Sequence, residues 1–377
     1  MSFTISEIFR HYSAEYLEKY SKNTPISHLK AIRDIIDCRT PVMGGTTYYC
    51  NKCKTYHYSY HSCKNRNCPK CQNEDNQKWV EKQANKLLPV KYFLLTFTLP
   101  AELRTITRSN QKLIYSILFK TAAASFQKLA KDPRYIGGQT GMLAVLHTWS
   151  RTLYYHPHIH FIIPGGGYSK ERNEWIKANH KFLVPVRALS KIFKAKFRDA
   201  LYHTDLYKKV PVSVWKKDFV VNAEPVGKGE SALKYLAKYV YKIAISNKRI
   251  ISVKNHKVKF RYKEYLSCKN KIMTLDVMEF MRRYLQHVLP ICFQKVRYYG
   301  FLSAAAKKTF EKIRLLLGME VNNENTAKVT KKIKPDRSIK CPQCGSVMVI
   351  KEENRSSQRA PPKLWVRIFM NRSLLSF

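Results

Sequence analysis

The apolar residues of this chain fall into strand-like runs and helix-like stripes. Three short runs, Tyr92–Leu99, Met142–Trp149 and His158–Pro164, are rich in aromatic and branched side chains, which is typical of buried strands. Apolar positions recur at helical spacing over residues 109–131 and 188–202. Because strands and helices alternate without glycine-rich phosphate loops, the pattern predicts an α+β sheet domain rather than a Rossmann fold.

Shorter patterns predict the remaining elements. These are a helical region over residues 1 to about 36, a polar helix at Gln72–Leu88, strands at Phe182–Val186, Asp218–Ala223 and Val296–Phe301, a hairpin around Asn255 formed by Ile250–Val253 and Val258–Tyr262, a helix over Asp276–Val288 capped by Thr274, and a helix over Ser303–Leu317. Gly165–Gly167 is expected to open a loop. From about residue 320 the chain turns polar and basic, which indicates a linker and a small tail module.

The charge of the chain narrows the class of partner. Lysine and arginine number 69 against 26 acidic residues, so the formal net charge is +43, while 45% of the residues are hydrophobic. A folded chain with this excess is expected to bind a polyanion, of which nucleic acid is the leading one. The longest nearly unbroken apolar stretch, Tyr92–Ala101, is far shorter than the ~20 residues of a membrane helix. The first twenty residues carry no readable secretory signal, so we expect a cytoplasmic protein.

The cysteines are clustered at metal-binding spacing. Six of the ten lie between Cys38 and Cys71. Two C-x2-C pairs in this region supply the four thiolates that a tetrahedral Zn²⁺ ion requires: Cys50, Cys53, Cys68 and Cys71. Since all four positions would be filled by protein, the predicted site is structural rather than catalytic.

Other potential ligands leave the zinc stoichiometry open. Nearby thiols and imidazoles allow a second ion or a different ligand set: Cys38, His57, His61 and Cys63. Near the end of the chain Cys341 and Cys344 form half a site. They are either a lone pair or a pair completed by ligands elsewhere. The lysines and arginines between the ligands, Arg66 among them, fit a module that contacts the DNA backbone.

The segment His156-Pro-His-Ile-His160 predicts a second kind of metal site. On a strand, His158 and His160 point to the same face while Ile159 points to the other. If this strand pairs with Met142–Trp149 in antiparallel fashion, His147 lies opposite His158 and becomes a candidate third ligand. Imidazoles on one face suit a divalent ion with coordination positions left for substrate. The alternative is that these histidines are structural groups satisfied by hydrogen bonds.

The helix predicted over Ser231–Ala244 carries a candidate nucleophile. Tyr235 and Tyr239 are four residues apart and therefore share a face. A neighbouring row at the same spacing is basic: Lys234, Lys238 and Lys242. Phenols beside cations suit attack on phosphodiesters, because a cation or metal favours the phenolate. The alternative is that both tyrosines border the core.

Together these motifs resemble one family, the HUH-type rolling-circle transposases of the insertion-sequence-91 family with an N-terminal transposase zinc-binding domain. The likeness rests on the cysteine cluster, the His-Pro-His-Ile-His segment and the Tyr-x3-Tyr helix. Five further stretches agree: Ser62–Gln72, Phe97–Pro100, His147–Trp149, Ala244–Asn247 and Arg282–Pro290. The resemblance runs from about Cys38 to Phe301, in consistent order.

The resemblance implies a fold, a reaction and a set of roles. It implies a zinc-ribbon-like module followed by an HUH endonuclease domain, a ferredoxin-like antiparallel sheet flanked by helices. His158 and His160 would hold a catalytic Mg²⁺ or Mn²⁺, and Tyr235 and Tyr239 would be the nucleophiles. The expected domains are a zinc-binding, DNA-binding domain at 1–88, an HUH catalytic domain at 89–318, and a basic linker and tail at 319–377.

The expected function is cleavage and rejoining of single-stranded DNA at insertion-sequence ends during rolling-circle transposition, through a 5′-phosphotyrosine link. Basic residues of the helix at 188–202 would track the DNA backbone: Lys191, Lys194 and Arg198. A bacterial, nucleoid-associated location follows from this activity. One alternative is a plasmid replication initiator or relaxase, which uses the same histidines and tyrosines. Another is a catalytically inactive zinc protein that only binds DNA.

Overall fold

A computed structural model of the chain describes residues 3–71, 79, 83–84, 86–178, 183–228, 231, 243–264, 267–319 and 339–355. Most of the predicted helices at Gln72–Leu88 and Ser231–Ala244 lies outside the described residues. The tyrosines and lysines proposed on the second of these helices, at positions 234, 235, 238, 239 and 242, lie outside them as well.

The α-helices of the described residues largely follow the predicted stripes. They are α1 (Ile5–Tyr20), α2 (Ile26–Asp37), α3 (Arg104–Ser109), α4 (Gln111–Ala130), α5 (Val186–Tyr202), α6 (Ser213–Lys216), α7 (Val277–Leu285) and α8 (Lys307–Leu316). A capping box begins α1, because the Thr4 side chain accepts from the Glu7 N–H and the Glu7 carboxylate accepts from the Thr4 N–H. None of the helices in the described part of the chain has the length and apolar character needed to cross a membrane.

The strands of the described residues form four sheets. They are β1 (Gly44–Cys50), β2 (Thr55–Tyr60), β3 (Lys91–Thr98), β4 (Met142–Trp149), β5 (Tyr155–Pro164), β6 (Gly166–Ser169), β7 (Glu174–Lys177), β8 (Val220–Lys228), β9 (Ile250–Lys254), β10 (Lys257–Lys263), β11 (Asn270–Asp276), β12 (Val296–Tyr299) and β13 (Val349–Arg355). Their orders are β13-β1-β2, β11-β10-β9, β12-β4-β5-β3-β8 and β6-β7. Every pairing is antiparallel.

The chain divides into two compact units that do not follow its linear order. Unit 1 comprises Met1–Asn73, Ser246–Val288 and Asn322–Phe377, and unit 2 comprises Glu74–Ile245 and Leu289–Val321. The predicted domains, in contrast, are consecutive segments. Unit 1 is discontinuous because β13 pairs with β1, and because Tyr284 of α7 packs against Phe9 of α1.

Unit 2 is built on the five-stranded sheet, which confirms the predicted α+β class with an antiparallel sheet. On one face of β5, Ile159, Phe161 and Ile163 are buried in a core shared with α4 and α5. On the other face the apolar residues lie toward one end of the sheet: Tyr92, Leu94, Leu143, Val145 and Ile162. The opposite end of that second face carries polar residues, and the candidate histidines are among them.

The glycine segment after β5 differs from its prediction. The expected loop at Gly165–Gly167 is wrong, since Gly166 and Gly167 belong to β6, which pairs with β7. The glycines are required by close packing rather than by a loop. A Cβ atom on Gly166 would lie 2.4 Å from the ring of Trp175, a distance that no side chain tolerates.

Two further element predictions need correction. No strand ends at Val186 in the described residues, because Val186 begins α5. Thr274 does not cap the helix that follows it, because it lies within β11. The cap of α7 is Asp276, whose carboxylate accepts hydrogen bonds from the N–H groups of Met278 and Glu279.

The predicted hairpin in unit 1 is confirmed. Strands β9 and β10 pair from Ile250↔Phe260 to Lys254↔Lys257 across a two-residue turn. Both turn residues, Asn255 and His256, have positive φ angles of 50° and 55°, the geometry that two-residue hairpins favour.

Candidate metal centre, zinc clusters and family

Three histidines converge on two neighbouring strands of the unit 2 sheet. His147 on β4 lies directly opposite His158 on β5, which confirms the pairing expected from the sequence. His160 follows two residues later on the same face. One ring nitrogen from each of the three lies within 4.8 Å of the others. His147 and His160 are buried, whereas His158 is half-buried.

Hydrogen bonds orient the imidazole rings of His158 and His160. The Nδ1 atom of His158 lies 2.6 Å from the backbone carbonyl oxygen of His156. A carbonyl only accepts, so this Nδ1 carries the proton, which leaves Nε2 as the nitrogen that can bind a metal ion. The Nδ1 atom of His160 lies 2.9 Å from the Thr96 hydroxyl. Partners of this kind fix ring orientation and tautomer in metal-binding histidines.

The third imidazole is held by stacking. The ring of His147 lies parallel to the indole of Trp149, with centroids 4.6 Å apart and an interplanar angle of 22°. The ammonium of Lys295 lies 5.1 Å from the same indole. These contacts place the indole of Trp149 and the ammonium of Lys295 beside the three histidines.

This donor set fits a divalent metal ion. Three imidazoles leave coordination positions for other ligands, as in catalytic rather than structural sites. The group contains no carboxylate among the described residues. Imidazole suits transition metals better than it suits Mg²⁺, which prefers oxygen ligands.

His156 is a neighbour of this group but not a member of it. Its ring centroid is 5.1 Å from that of His158, yet its Nδ1 lies 3.4 Å from the Arg104 guanidinium. Burial, and then the charge of Arg104, lower the pKa of His156. Because the guanidinium occupies that side of the ring, His156 serves better as a backbone acceptor for His158 than as a ligand.

The hydrogen bond to His160 leads to a first prediction. Thr96→Val keeps the shape of the side chain but removes its hydroxyl, so His160 loses the partner that orients its ring. We expect the affinity for Mn²⁺ to fall about 10- to 100-fold. The signal of free Mn²⁺ in electron paramagnetic resonance, followed through a titration, measures this change.

The matched control is Thr98→Val. Thr98 lies on the same strand and face, directly opposite His158. If both variants bind Mn²⁺ equally well, the Thr96 hydroxyl has no role in orienting a ligand.

Eight of the ten cysteines form two separate clusters, which corrects the predicted grouping. Cys50 and Cys53 do not meet Cys68 and Cys71. The first cluster consists of Cys38, Cys63, Cys68 and Cys71, and the second of Cys50, Cys53, Cys341 and Cys344. The two C-x2-C pairs sit on different elements, one in the β1–β2 turn and the other in the loop after β2. His57 and His61 belong to neither cluster.

The first cluster joins the end of α2 to the loop after β2. The sulfur atoms of Cys38 and Cys63 lie 3.4 and 3.6 Å from that of Cys71. Tetrahedral zinc with Zn–S bonds of about 2.3 Å places its sulfurs about 3.8 Å apart, so the observed distances fit. The loop is also held by Asn65, whose amide donates to Asp34 of α2 at 2.8 Å.

Within the first cluster, hydrogen bonds between the thiols shift their pKa values in opposite directions. The hydrogen bond with Cys38 holds the pKa of Cys71 well below its usual range. The hydrogen bond from Cys63 lowers the pKa of Cys38 to about 7. The pKa of Cys63 is raised, first by its hydrogen bond with Cys38. Without a cation the four thiols cannot all ionise, whereas a bound divalent ion allows all four to be thiolates.

The predicted DNA-contacting residues of α5 lie apart from the histidines. Lys191 and Arg198 are exposed, and Lys194 donates to the backbone oxygen of Lys217 at 3.0 Å. Helix α5 covers the face of the sheet opposite to the one that carries the histidines. These cations are therefore not brought together with the histidine group. Arg66 is exposed in the loop of the first cysteine cluster.

Comparison with protein families defines the class. Residues 8–99 match the family described as "Transposase zinc-binding domain". Residues 141–309, which contain all three histidines, match the family described as "Putative transposase". The chain is thus a DNA transposase with an N-terminal zinc-binding domain.

Two relatives give the particular family. A protein of Sinorhizobium fredii named "Putative transposase y4qJ" is 33% identical over 96% of this chain and 98% of its own length. The "Transposase for insertion sequence element IS801" of Pseudomonas savastanoi pv. phaseolicola is 23% identical over 85% of this chain and 82% of its own length. No solved structure matches the chain. The chain belongs to the insertion-sequence-91 family of transposases, which confirms the resemblance drawn from its motifs.

Proposed function

We propose that this transposase cleaves and rejoins single-stranded DNA at insertion-sequence ends through Tyr235 and Tyr239, in rolling-circle transposition. The observation that carries the proposal is the convergence of His147, His158 and His160, with ring nitrogens within 4.8 Å of one another. A divalent ion bound there would act as a Lewis acid on a phosphodiester oxygen. The three-imidazole donor set favours Mn²⁺ over Mg²⁺ for this role.

The proposed reaction transfers a phosphoryl group to a phenol. A tyrosine oxygen, having released its proton to solvent, attacks the phosphorus of a phosphodiester. The new bond is a 5′-phosphotyrosine, and the broken bond is P–O3′, whose oxygen takes up a proton and leaves as a 3′-hydroxyl. The second tyrosine allows a further cleavage while the first remains attached to DNA. Lysines at positions 234, 238 and 242 would contact the backbone phosphates.

A covalent-adduct assay tests the proposal. The protein is incubated with Mn²⁺ or Mg²⁺ and a labelled single strand that carries an insertion-sequence end, then separated under denaturing conditions. We expect a labelled protein band and a shortened strand ending in a 3′-hydroxyl, both more abundant with Mn²⁺. If neither adduct nor nicked strand forms with any terminus of the element, the chain is not a tyrosine nuclease. A substrate from a plasmid replication origin, cleaved in preference to element ends, would favour a replication initiator.

A row of tyrosines in unit 1 supports the choice of single-stranded rather than duplex DNA. Tyr56, Tyr58 and Tyr60 alternate along the edge strand β2 and are 58%, 58% and 39% exposed. The ring of Tyr49 on β1 lies 4.9 Å from that of Tyr56, and the Lys351 ammonium lies 5.3 Å from the Tyr49 ring. Exposed rings of this kind stack on unpaired bases, while nearby cations hold the backbone.

The tyrosine row yields a second prediction. Tyr56→Ala combined with Tyr58→Ala removes two stacking surfaces, each worth about 1–3 kcal/mol per base. We expect at least about a tenfold loss of affinity for single-stranded DNA, measured by fluorescence anisotropy, with a smaller change for duplex DNA. Tyr202→Ala, at an exposed tyrosine of α5, serves as the control. Equal loss for single and double strands would contradict a stacking role.

A further inference from the structure

One pair of cysteines lies outside both matched segments of the transposase family. Cys341 and Cys344 follow residue 309, where the second match ends. They lie in a tight turn in which the N–H of Gly345 donates to the carbonyl of Cys341 at 2.8 Å. Gly345 has a positive φ of 71°. This turn brings both thiols to one side of the backbone.

The β1–β2 turn repeats this geometry. The N–H of Lys54 donates to the carbonyl of Cys50 at 2.8 Å, and Lys54 has a positive φ of 55°. The N–H of Cys53 also points to the Cys50 sulfur at 3.4 Å. In each turn the residue four positions after the first cysteine closes the loop. The two turns are therefore a matched pair of metal-binding knuckles.

The two knuckles face each other. The sulfurs of Cys50, Cys53, Cys341 and Cys344 all lie within 4.8 Å of one another, and those of Cys50 and Cys344 are 3.6 Å apart. A tetrahedral zinc ion with four thiolates requires a separation of about 3.8 Å. All four residues are free thiols, and four sulfurs gathered around one point suit an ion rather than two disulfides, whose sulfurs would be about 2 Å apart.

The surrounding apolar core is small. Beside the four thiols it contains Met348, Tyr48 and Ile339. Next to it, β13 pairs with β1 along Gly44↔Arg355 to Tyr49↔Val349. A core of this size rarely holds two distant chain segments together without a metal or a covalent link.

We propose that Cys50, Cys53, Cys341 and Cys344 bind a second structural zinc ion. The protein thus carries two zinc ions per chain, one in each cysteine cluster. The second ion fixes the segment that contains β13 to the β1–β2 hairpin, so the zinc-binding domain is completed by residues from near the other end of the chain. This site is independent of the DNA cleavage proposed above.

Zinc content tests this assignment. The purified full chain is expected to contain two zinc ions by inductively coupled plasma mass spectrometry. The double variant Cys341→Ser with Cys344→Ser is expected to contain one zinc ion. The double variant Cys50→Ser with Cys53→Ser is expected to lose the same single ion. The variant with all four substitutions is also expected to lose only one ion. Cys268→Ser with Cys292→Ser, at two exposed cysteines outside the clusters, is expected to retain two.

The outcomes separate the alternatives. One zinc ion in the unsubstituted chain, or two ions in the Cys341/Cys344 variant, overturns the proposal. If that variant loses both ions through misfolding, Cys344→His supplies an imidazole ligand instead and is expected to restore two; failure to restore them also overturns it. Loss of two ions in the fourfold variant but one in each double variant would show that the pairs bind separately, against the proposal.

A second experiment tests the connection itself. A protease site is inserted between Met319 and Ile339, and the protein is cut without denaturation. We expect the C-terminal fragment to remain attached to the larger fragment during gel filtration and to be released by a strong zinc chelator. Release before the chelator is added would contradict a zinc-held junction.

Discussion

Replacement of both Tyr235 and Tyr239 by phenylalanine is expected to abolish the covalent protein–DNA adduct and to lower strand cleavage by about 10⁴-fold or more. Phenylalanine keeps the ring and loses only the phenol oxygen, so the change removes the nucleophile with little change in side-chain volume. Binding of single-stranded DNA is expected to persist, because the lysines and exposed aromatic rings proposed to hold the strand are unchanged.

The adduct assay with a labelled strand, run beside an anisotropy measurement of binding, checks this prediction. Each single substitution is expected to retain some adduct, since either phenol can attack in a two-tyrosine mechanism. Tyr241→Phe is the control, because in the helix predicted from the sequence position 241 lies outside the four-residue spacing of Tyr235 and Tyr239. Persistence of the adduct in the double variant would assign the nucleophile to a different residue, even if cleavage itself is real.

Substitution of His158 and His160 by alanine is expected to lower metal-dependent cleavage by about 10³-fold. The reason is the loss of two of the three imidazoles whose nitrogens lie within 4.8 Å of one another. His147→Ala is expected to act in the same direction, because His147 lies directly opposite His158. The zinc content of these variants is expected to equal that of the unsubstituted protein, since the cysteine clusters are untouched.

Initial rates of cleavage at a series of Mn²⁺ concentrations measure this effect. His203→Ala is the matched control, because His203 follows α5 with a side chain that is 72% exposed. The histidine assignment is refuted if the double variant cleaves at the rate of the control over the whole Mn²⁺ series. An unchanged rate in His147→Ala alone would limit the ligand set to the two histidines of β5.

Much of the histidine site was predictable because strand geometry is local. The alternation along β5 places His158 and His160 on one face, and the short connection from β4 makes an antiparallel neighbour the natural partner. Those two facts were enough to bring His147 into the group. The contributions of Thr96 and Trp149 were not predicted. Thr96 reaches His160 across a pairing with β3 that the sequence does not specify, and ring stacking leaves no periodic signal.

The cysteine clusters could be predicted from the sequence only in part. A two-residue gap predicts that Cys50 and Cys53 act together, because a tight turn joins them. It does not specify which other pair completes the tetrahedron, and proximity along the chain favoured Cys68 and Cys71. The true partners are decided by the pairing of β1 with β13, a contact between distant parts of the chain. Strands β1, β2 and β13 were also missed, because polar and glycine residues weaken the hydrophobic pattern in them.

The pairing of β1 with β13 also constrains how the protein is made. Cys50 and Cys344 are 294 positions apart, and a ribosome that adds about 5–20 residues per second needs roughly 15–60 s to cover that distance. During this interval β1 emerges with one edge unpaired, beside two thiols that lack their partners. A chain whose synthesis stops before β13 cannot close this sheet. The sheet formed by β13, β1 and β2 can therefore be completed only after β13 has been translated.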